Sequence, residues 1–149
     1  MSNQNTLNDI ITLAYDIYNS IGPGYNEVIY HRAFEVALRL KGLQYESEVI
    51  TPIVYQNHTI GHGRVDIIVN KSVIIELKAI ANLNNTEAII QIKNYMKQHN
   101  INNGLIINFG QCNSKNINGS IGIKYLSGNQ IFNFENGNFI ENLNTLQVV

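Results

Sequence analysis

Apolar residues first recur at helical spacing in Ile10, Leu13, Ala14 and Ile17, which predicts a helix over Thr6 to Ser20. Thr6 followed by Asp9 resembles a capping box at its start. Gly22-Pro23-Gly24 breaks the pattern. A second stripe of Tyr30, Ala33, Phe34, Ala37 and Leu38 predicts a helix from Glu27 to Lys41, with Asn26 as N-cap and Gly42 as the stop. The period then shortens to two. Gln44 to Tyr55 is β-branched and aromatic, and Pro52 marks it as an edge or bulged strand. After a turn at Gln56-Asn57, Gly63 to Asn70 and Val73 to Ile80 form two further strands around Asn70-Lys71-Ser72. Asn84-Asn85-Thr86 opens a third helix to His99, whose apolar face is Ala88, Ile89, Ile92, Tyr95 and Met96. Gly104 to Phe109 reads as a short buried strand and Gln111 to Ser120 as a polar loop. The tail from Ile121 to Val149 reads as short strands with turns at Ser127-Gly128-Asn129 and Glu135-Asn136-Gly137. Helix, helix, strands, helix, strand and a β-rich tail together predict an α/β or α+β sandwich around a central sheet.

Composition narrows the classes. A chain of 149 residues, 44% hydrophobic, fits one domain over residues 1–149, with a core near 6–110 and a β-rich extension near 121–149. No apolar run approaches the roughly 18 residues of a membrane span. MSNQNTLNDI lacks a basic region followed by an apolar one, so the expected location is intracellular and cytoplasmic. A single cysteine, Cys112, excludes a disulfide framework and a cysteine-rich zinc module. His58 and His62 have metal-like spacing but lack the cysteines that would complete a zinc site. Ten basic and eleven acidic residues give a net charge of −1, without the basic excess of a non-specific nucleic-acid binder. Asn and Ile occur 24 times each, a bias expected of an AT-rich coding sequence.

The chemistry concentrates in Arg64-Val65-Asp66-Ile67-Ile68-Val69 and Val73-Ile74-Ile75-Glu76-Leu77-Lys78. A hairpin centred on Lys71 sets Asp66 opposite Glu76, with Cβ atoms roughly 5 Å apart. Alternation then puts Lys78, Arg64, Ile68 and Ile74 on their face, and Val65, Ile67, Val69, Val73, Ile75 and Leu77 on the other. Two carboxylates side by side among isoleucines raise one pKa or demand a cation. Mg²⁺ suits such a pair, with water and phosphate oxygens completing its shell. Lys78 is placed to orient an attacking water or to neutralise developing phosphorane charge. The plain alternative is a hairpin in which Asp66–Arg64 and Glu76–Lys78 are ordinary surface ion pairs.

With these residues in order, the sequence resembles the GxxExxY proteins of the PD-(D/E)XK nuclease superfamily. Gly24-Tyr25-Asn26-Glu27-Val28-Ile29-Tyr30 carries the naming motif, Arg64-Val65-Asp66 matches the first catalytic strand, and Glu76-Leu77-Lys78 matches the (D/E)-x-K strand. Gln91 to Tyr95 matches a Q-x-x-x-Y helix, and Asn103 to Gly110 a closing strand. Tyr18 stands where that family is expected to carry a histidine, and Lys124 in place of an expected arginine. The resemblance implies an α/β restriction-endonuclease-like core of order αβββαβ, with a central mixed sheet flanked by helices and a short β-rich C-terminal extension. It implies one or two Mg²⁺ or Mn²⁺ ions held by Asp66, Glu76 and the Leu77 carbonyl. Lys78 is then the catalytic lysine, and Glu27 a further ligand or water-positioning base. Gln91 and Tyr95 share a helical face and contact substrate phosphate or hold Lys78. Tyr30 and Arg64 complete the candidate substrate contacts.

The expected function is a metal-dependent nuclease acting on DNA. The alternative is a catalytically inactive nuclease-fold protein that binds nucleic acid or protein, since a fold does not dictate an activity. The C-terminal extension is then the expected surface for a second copy or a protein partner, and no membrane is expected.

Overall fold

The computed structural model describes residues 3–81, 85–110 and 121–141. Three helices and seven strands follow in the order α1 (Asn3–Ile21), α2 (Glu27–Lys41), β1 (Tyr45–Tyr55), β2 (His58–Val69), β3 (Val73–Lys78), α3 (Asn85–His99), β4 (Asn103–Asn108), β5 (Gly122–Ser127), β6 (Gln130–Glu135) and β7 (Asn138–Glu141). The strands lie in one mixed sheet in chain order, β1 to β7. β3 and β4 pair in parallel, joined through α3, and the other neighbours are antiparallel.

The sheet is covered on both faces. Ile10, Ala14, Tyr30, Phe34 and Leu38 from α1 and α2 pack with Ile67, Ile75, Leu77 and Ile107 in one core. Ile89, Ile92 and Met96 from α3 pack with Ile68, Ile74 and Ile106 in the other. Gly104 lets α3 approach closely, because a Cβ there would meet Ile92 and Met96 at 2.9 Å.

α1 begins at Asn3, so the Thr6–Asp9 pattern does not cap it. Thr6 instead is buried within the helix and accepts a hydrogen bond from Asn70 in the β2–β3 turn, at 3.5 Å. Asn26 has the extended backbone of an N-cap but no side-chain capping bond. Gly42 closes α2 in the left-handed conformation, with φ 78°. The β-rich C-terminal extension continues the same sheet. β5 pairs with β4 and extends the central sheet, and Leu126 and Ile131 are buried in the α3-side core.

β1 is an edge strand with an irregularity between Ile53 and Val54, next to Pro52, as the sequence pattern expects. β3 pairs with β2 at Ile67, Ile68 and Val69, so β1 and β2 run on beyond it as a two-stranded arm. Every residue from Pro52 to Ile60 on that arm is exposed. Its Gln56-Asn57 turn has both φ angles positive, at 50° and 64°, the geometry of a tight hairpin. The Gln111–Ser120 loop, with Cys112, lies outside the described residues.

Candidate active site

The site forms where β2 and β3 part. Their backbone ladder runs Val69↔Val73, Ile68↔Ile74, Ile67↔Ile75, and no further pair follows. Asp66 and Glu76 would be next, as the centred hairpin predicts, but side chains replace the ladder there. The Leu77 N–H donates to Asp66 Oδ2 at 2.8 Å, and the Asp66 N–H donates to Glu76 Oε1 at 3.5 Å. β3 meanwhile stays paired with β4 to its end, Lys78↔Asn108. The opening therefore lies between β2 and β3, with both carboxyls at its apex.

One part of the predicted alternation fails here. Val65 packs with Ile68 and Ile74 in the α3-side core, not with Ile67 and Val69. Across from Asp66, Glu48 adopts a left-handed backbone, φ 53°, and the β1–β2 pairing skips that position. The alternation along β2 changes at this unpaired position, with Val65 on the α3-side face.

Glu76 is 3% exposed. Burial, then the Asp66 charge, push its pKa up to about 8, while Lys78 pulls the other way. A hydrogen bond between the Asp66 and Glu76 side chains also favours the protonated form. Glu27 joins from α2. Partial desolvation raises its pKa, Lys78 lowers it, and Asp66 raises it again. Glu27, Asp66, Glu76 and Lys78 thus form one electrostatic cluster drawn from α2, β2 and β3.

The G-x-x-E-x-x-Y spacing has a structural reason. Gly24 has φ 107°, a backbone that favours glycine. Tyr30, three residues after Glu27, is fully buried and donates from its hydroxyl to the Gly22 carbonyl at 2.7 Å. The same hydroxyl accepts from the Tyr25 N–H at 3.4 Å. The Tyr30 ring stacks on Phe109, 4.1 Å between centroids. Tyr30 therefore clamps the loop that delivers Glu27, and its own ring lies in the core.

Tyr95 and Gln91 meet on α3 as their spacing predicts, with Gln91 Nε2 donating to the Tyr95 hydroxyl at 3.3 Å. That hydroxyl also accepts from the Arg64 N–H at 3.1 Å. The pair thus grips the backbone two residues before Asp66. Gly63 makes this possible, because a Cβ there would lie 2.7 Å from the Tyr95 hydroxyl. The Arg64 side chain points to Glu48, at 3.8 Å, and both are exposed. Lys124 bonds Asn133 on β6 at 2.6 Å, and Tyr18 lies in the core on the helix side.

Two depressions flank the cluster. An open groove of about 1060 Å³ runs between α3 and the arm, with Glu27 and Lys78 at one end. A smaller depression of about 350 Å³ holds Glu27, His31, Arg64 and Asp66. His31 bonds Ser47 at 2.7 Å, which ties α2 to β1.

Sequence reasoning missed Asn108. It lies beside Lys78 at the end of β4 and is buried. Its side chain accepts from the Ile80 N–H at 3.0 Å and donates to the Ile80 carbonyl at 3.1 Å. It also accepts from the Gly110 N–H at 3.1 Å. This bidentate grip fixes the chain just after Lys78. The available signal is a polar residue inside an otherwise apolar run, Leu105 to Phe109.

No curated protein matches the chain. Among solved structures, that of SSO0001 is similar with a TM-score of 0.49 and 22% identity, over 66% of this chain and 48% of its own. This chain thus spans about half the length of that protein. The pattern of the PD-(D/E)XK nuclease superfamily matches residues 4–119. That stretch holds the three helices, the first four strands and every residue of the cluster. The chain belongs to the PD-(D/E)XK nuclease superfamily.

Proposed function

We propose that the protein is a Mg²⁺- or Mn²⁺-dependent nuclease that hydrolyses phosphodiester bonds in DNA, and that it is of the GxxExxY kind within its superfamily. The observation that carries this reading is the Asp66–Glu76 contact at the strand opening. Burial beside the Asp66 carboxylate makes the ionised form of Glu76 costly in the metal-free protein, which is why its pKa is pushed up to about 8. The ionised form becomes favourable once a cation replaces the proton.

The donor set fits such an ion. Mg²⁺ is usually held by one or two carboxylates, with water and phosphate oxygens filling the rest of an octahedron. Among the described residues no three Asp, Glu, His or Cys side chains converge on one point, so the protein's side-chain donors to such an ion would be the Asp66–Glu76 pair. Asp66 and Glu76, with the Leu77 carbonyl, would hold the ion, and water and substrate oxygens would complete its shell. When bound, the ion supplies Lewis-acid polarisation and lowers the pKa of water. Lys78 orients the attacking water and offsets negative charge that grows on phosphorus oxygens. Glu27, under the opposing influence of Lys78 and Asp66, is placed to accept or relay a proton. Gln91 and Tyr95 act as positioning residues through the Arg64 backbone.

Titration calorimetry of Mn²⁺ into the protein, beside Asp66→Ala/Glu76→Ala, tests the site. Saturable binding lost in the double variant is expected, as is Mn²⁺-dependent cleavage of DNA. Lys78→Ala should keep the fold and the Mn²⁺ binding and lose about 10²–10³-fold in cleavage rate. Absence of Mn²⁺ binding, with or without DNA present, would overturn the proposal. Binding of metal and DNA without cleavage would identify an inactive binding module instead.

A further inference from the structure

The groove between the arm and α3 has an unusual lining for a site that handles DNA. Its exposed apolar residues are Ile53 on the arm, Ile80 after β3 and Ile90 on α3, at 44%, 38% and 39% exposure. Its amides are Gln91, Asn94 and Gln98, spaced along one stripe of α3. Lys78 and Lys97 are matched by Glu27 and Glu87, so the lining carries no net charge. The groove is a built feature. Gln98 Nε2 donates to the Pro52 carbonyl at 3.3 Å, His99 bonds Thr51 at 2.8 Å, and Tyr95 holds the Arg64 N–H. These bonds fix the arm over α3 and keep the groove open next to Lys78.

A duplex presents two phosphate backbones and hides the faces of its bases. A protein that grips it gains most of its affinity from cations that replace counterions. A neutral wall of isoleucines and amides cannot supply that. It suits unpaired bases, whose faces pack against apolar side chains and whose edges bond to amides. We infer that the groove binds single-stranded DNA, with its bases laid between Ile53 and Ile90 and its backbone led toward Lys78. This rests on the nuclease reading of the adjoining cluster and names the form of its substrate.

The test is fluorescence anisotropy of the full chain with a labelled mixed-sequence single strand of DNA and with the matching blunt duplex. EDTA is present throughout, so no cleavage step enters. The single strand should bind at least about tenfold more tightly than the duplex. With two lysines in the groove, its log–log salt slope should be no steeper than about −1.4. Ile53→Ser and Ile90→Ser, both charge-neutral and on exposed positions, should each weaken single-strand binding about three- to tenfold and leave the Mn²⁺ titration unchanged. Equal or tighter binding of the duplex, a steep salt slope, unaffected variants, or no binding of either probe would overturn the inference. Cleavage restricted to duplex DNA would defeat it while sparing the nuclease reading. Single-strand binding without any Mn²⁺ site would defeat that reading while sparing the groove.

Discussion

At the scale of single residues, the candidate site is readable where charge interrupts an apolar alternation. Asp66, Glu76 and Lys78 stand out because central strands rarely carry three ionisable side chains without a use. Glu27 is readable from the motif around it, and the structure adds that Tyr30 serves the same loop from inside the core. Gly63 is not readable and Asn108 shows only as a polar break in an apolar run, because each acts through contacts that leave no period in the sequence. Gly63 gives a sharp prediction. An added methyl would press on the Tyr95 hydroxyl at 2.7 Å and on its Cε1 at 2.8 Å, and that ring is buried. Gly63→Ala should therefore cost about 1–3 kcal/mol by overpacking. In a Tyr95→Leu background, which removes the ring, the same change should cost less than about 0.5 kcal/mol. Urea unfolding of the four proteins in this cycle measures the difference. An equal cost in both backgrounds would mean that the contact is not what demands glycine.

At the scale of elements, the pattern locates the helices by their one apolar face and β3 and β4 by runs apolar on both, while β2 begins at His58, five residues before the expected Gly63. The pattern does not show where a ladder stops. The β2–β3 pairing ends at Ile67↔Ile75 because the Asp66 carboxylate takes the Leu77 N–H that a strand carbonyl would otherwise accept. Nor does it show that β5 to β7 extend the main sheet, since short polar strands say little about which edge receives them. What keeps β3 in place past the opening is β4, and Asn108 extends that support beyond the last ladder pair. Removing the Asn108 side chain strands the Ile80 and Gly110 N–H groups together with the Ile80 carbonyl. Asn108→Ala should lower stability by about 2 kcal/mol. Because Lys78 is two residues from this anchor, cleavage should fall about tenfold or more at temperatures where the variant is still folded. Asn108→Asp, which keeps an acceptor for both N–H groups, should recover part of the stability. If Asn108→Ala lost stability without loss of cleavage, the contact would be structural alone.

At the scale of the whole molecule, the charged cluster and the folding equilibrium are linked. Glu76 has a pKa near 8 in the folded chain and an ordinary value near 4.5 when unfolded. The folded state therefore holds this proton more tightly, and its stabilising effect is complete below about pH 4.5. Between about pH 4.5 and 8 the folded chain carries more protons than the unfolded one, so stability falls as pH rises. The loss from this group is on the order of a few kcal/mol by pH 8. A metal ion reverses the trend, since it binds the carboxylate and must displace the proton. Its affinity should therefore rise with pH until about 8, by at most about tenfold per unit. At an ion concentration of about 100 times Kd the gain is about 2.7 kcal/mol. For a chain of this size that raises Tm by about 5–10 °C. Melting curves at pH 6 and pH 8, with and without millimolar Mn²⁺, should show the metal-free Tm lower at pH 8 and the Mn²⁺ shift larger there. Glu76→Gln removes the titrating group while keeping its shape. It should flatten the metal-free pH dependence and abolish most of the Mn²⁺ shift. A Mn²⁺ shift that survives in Glu76→Gln would place the ion elsewhere, and a metal-free Tm that rises toward pH 8 would show that Glu76 is ionised in the apo fold.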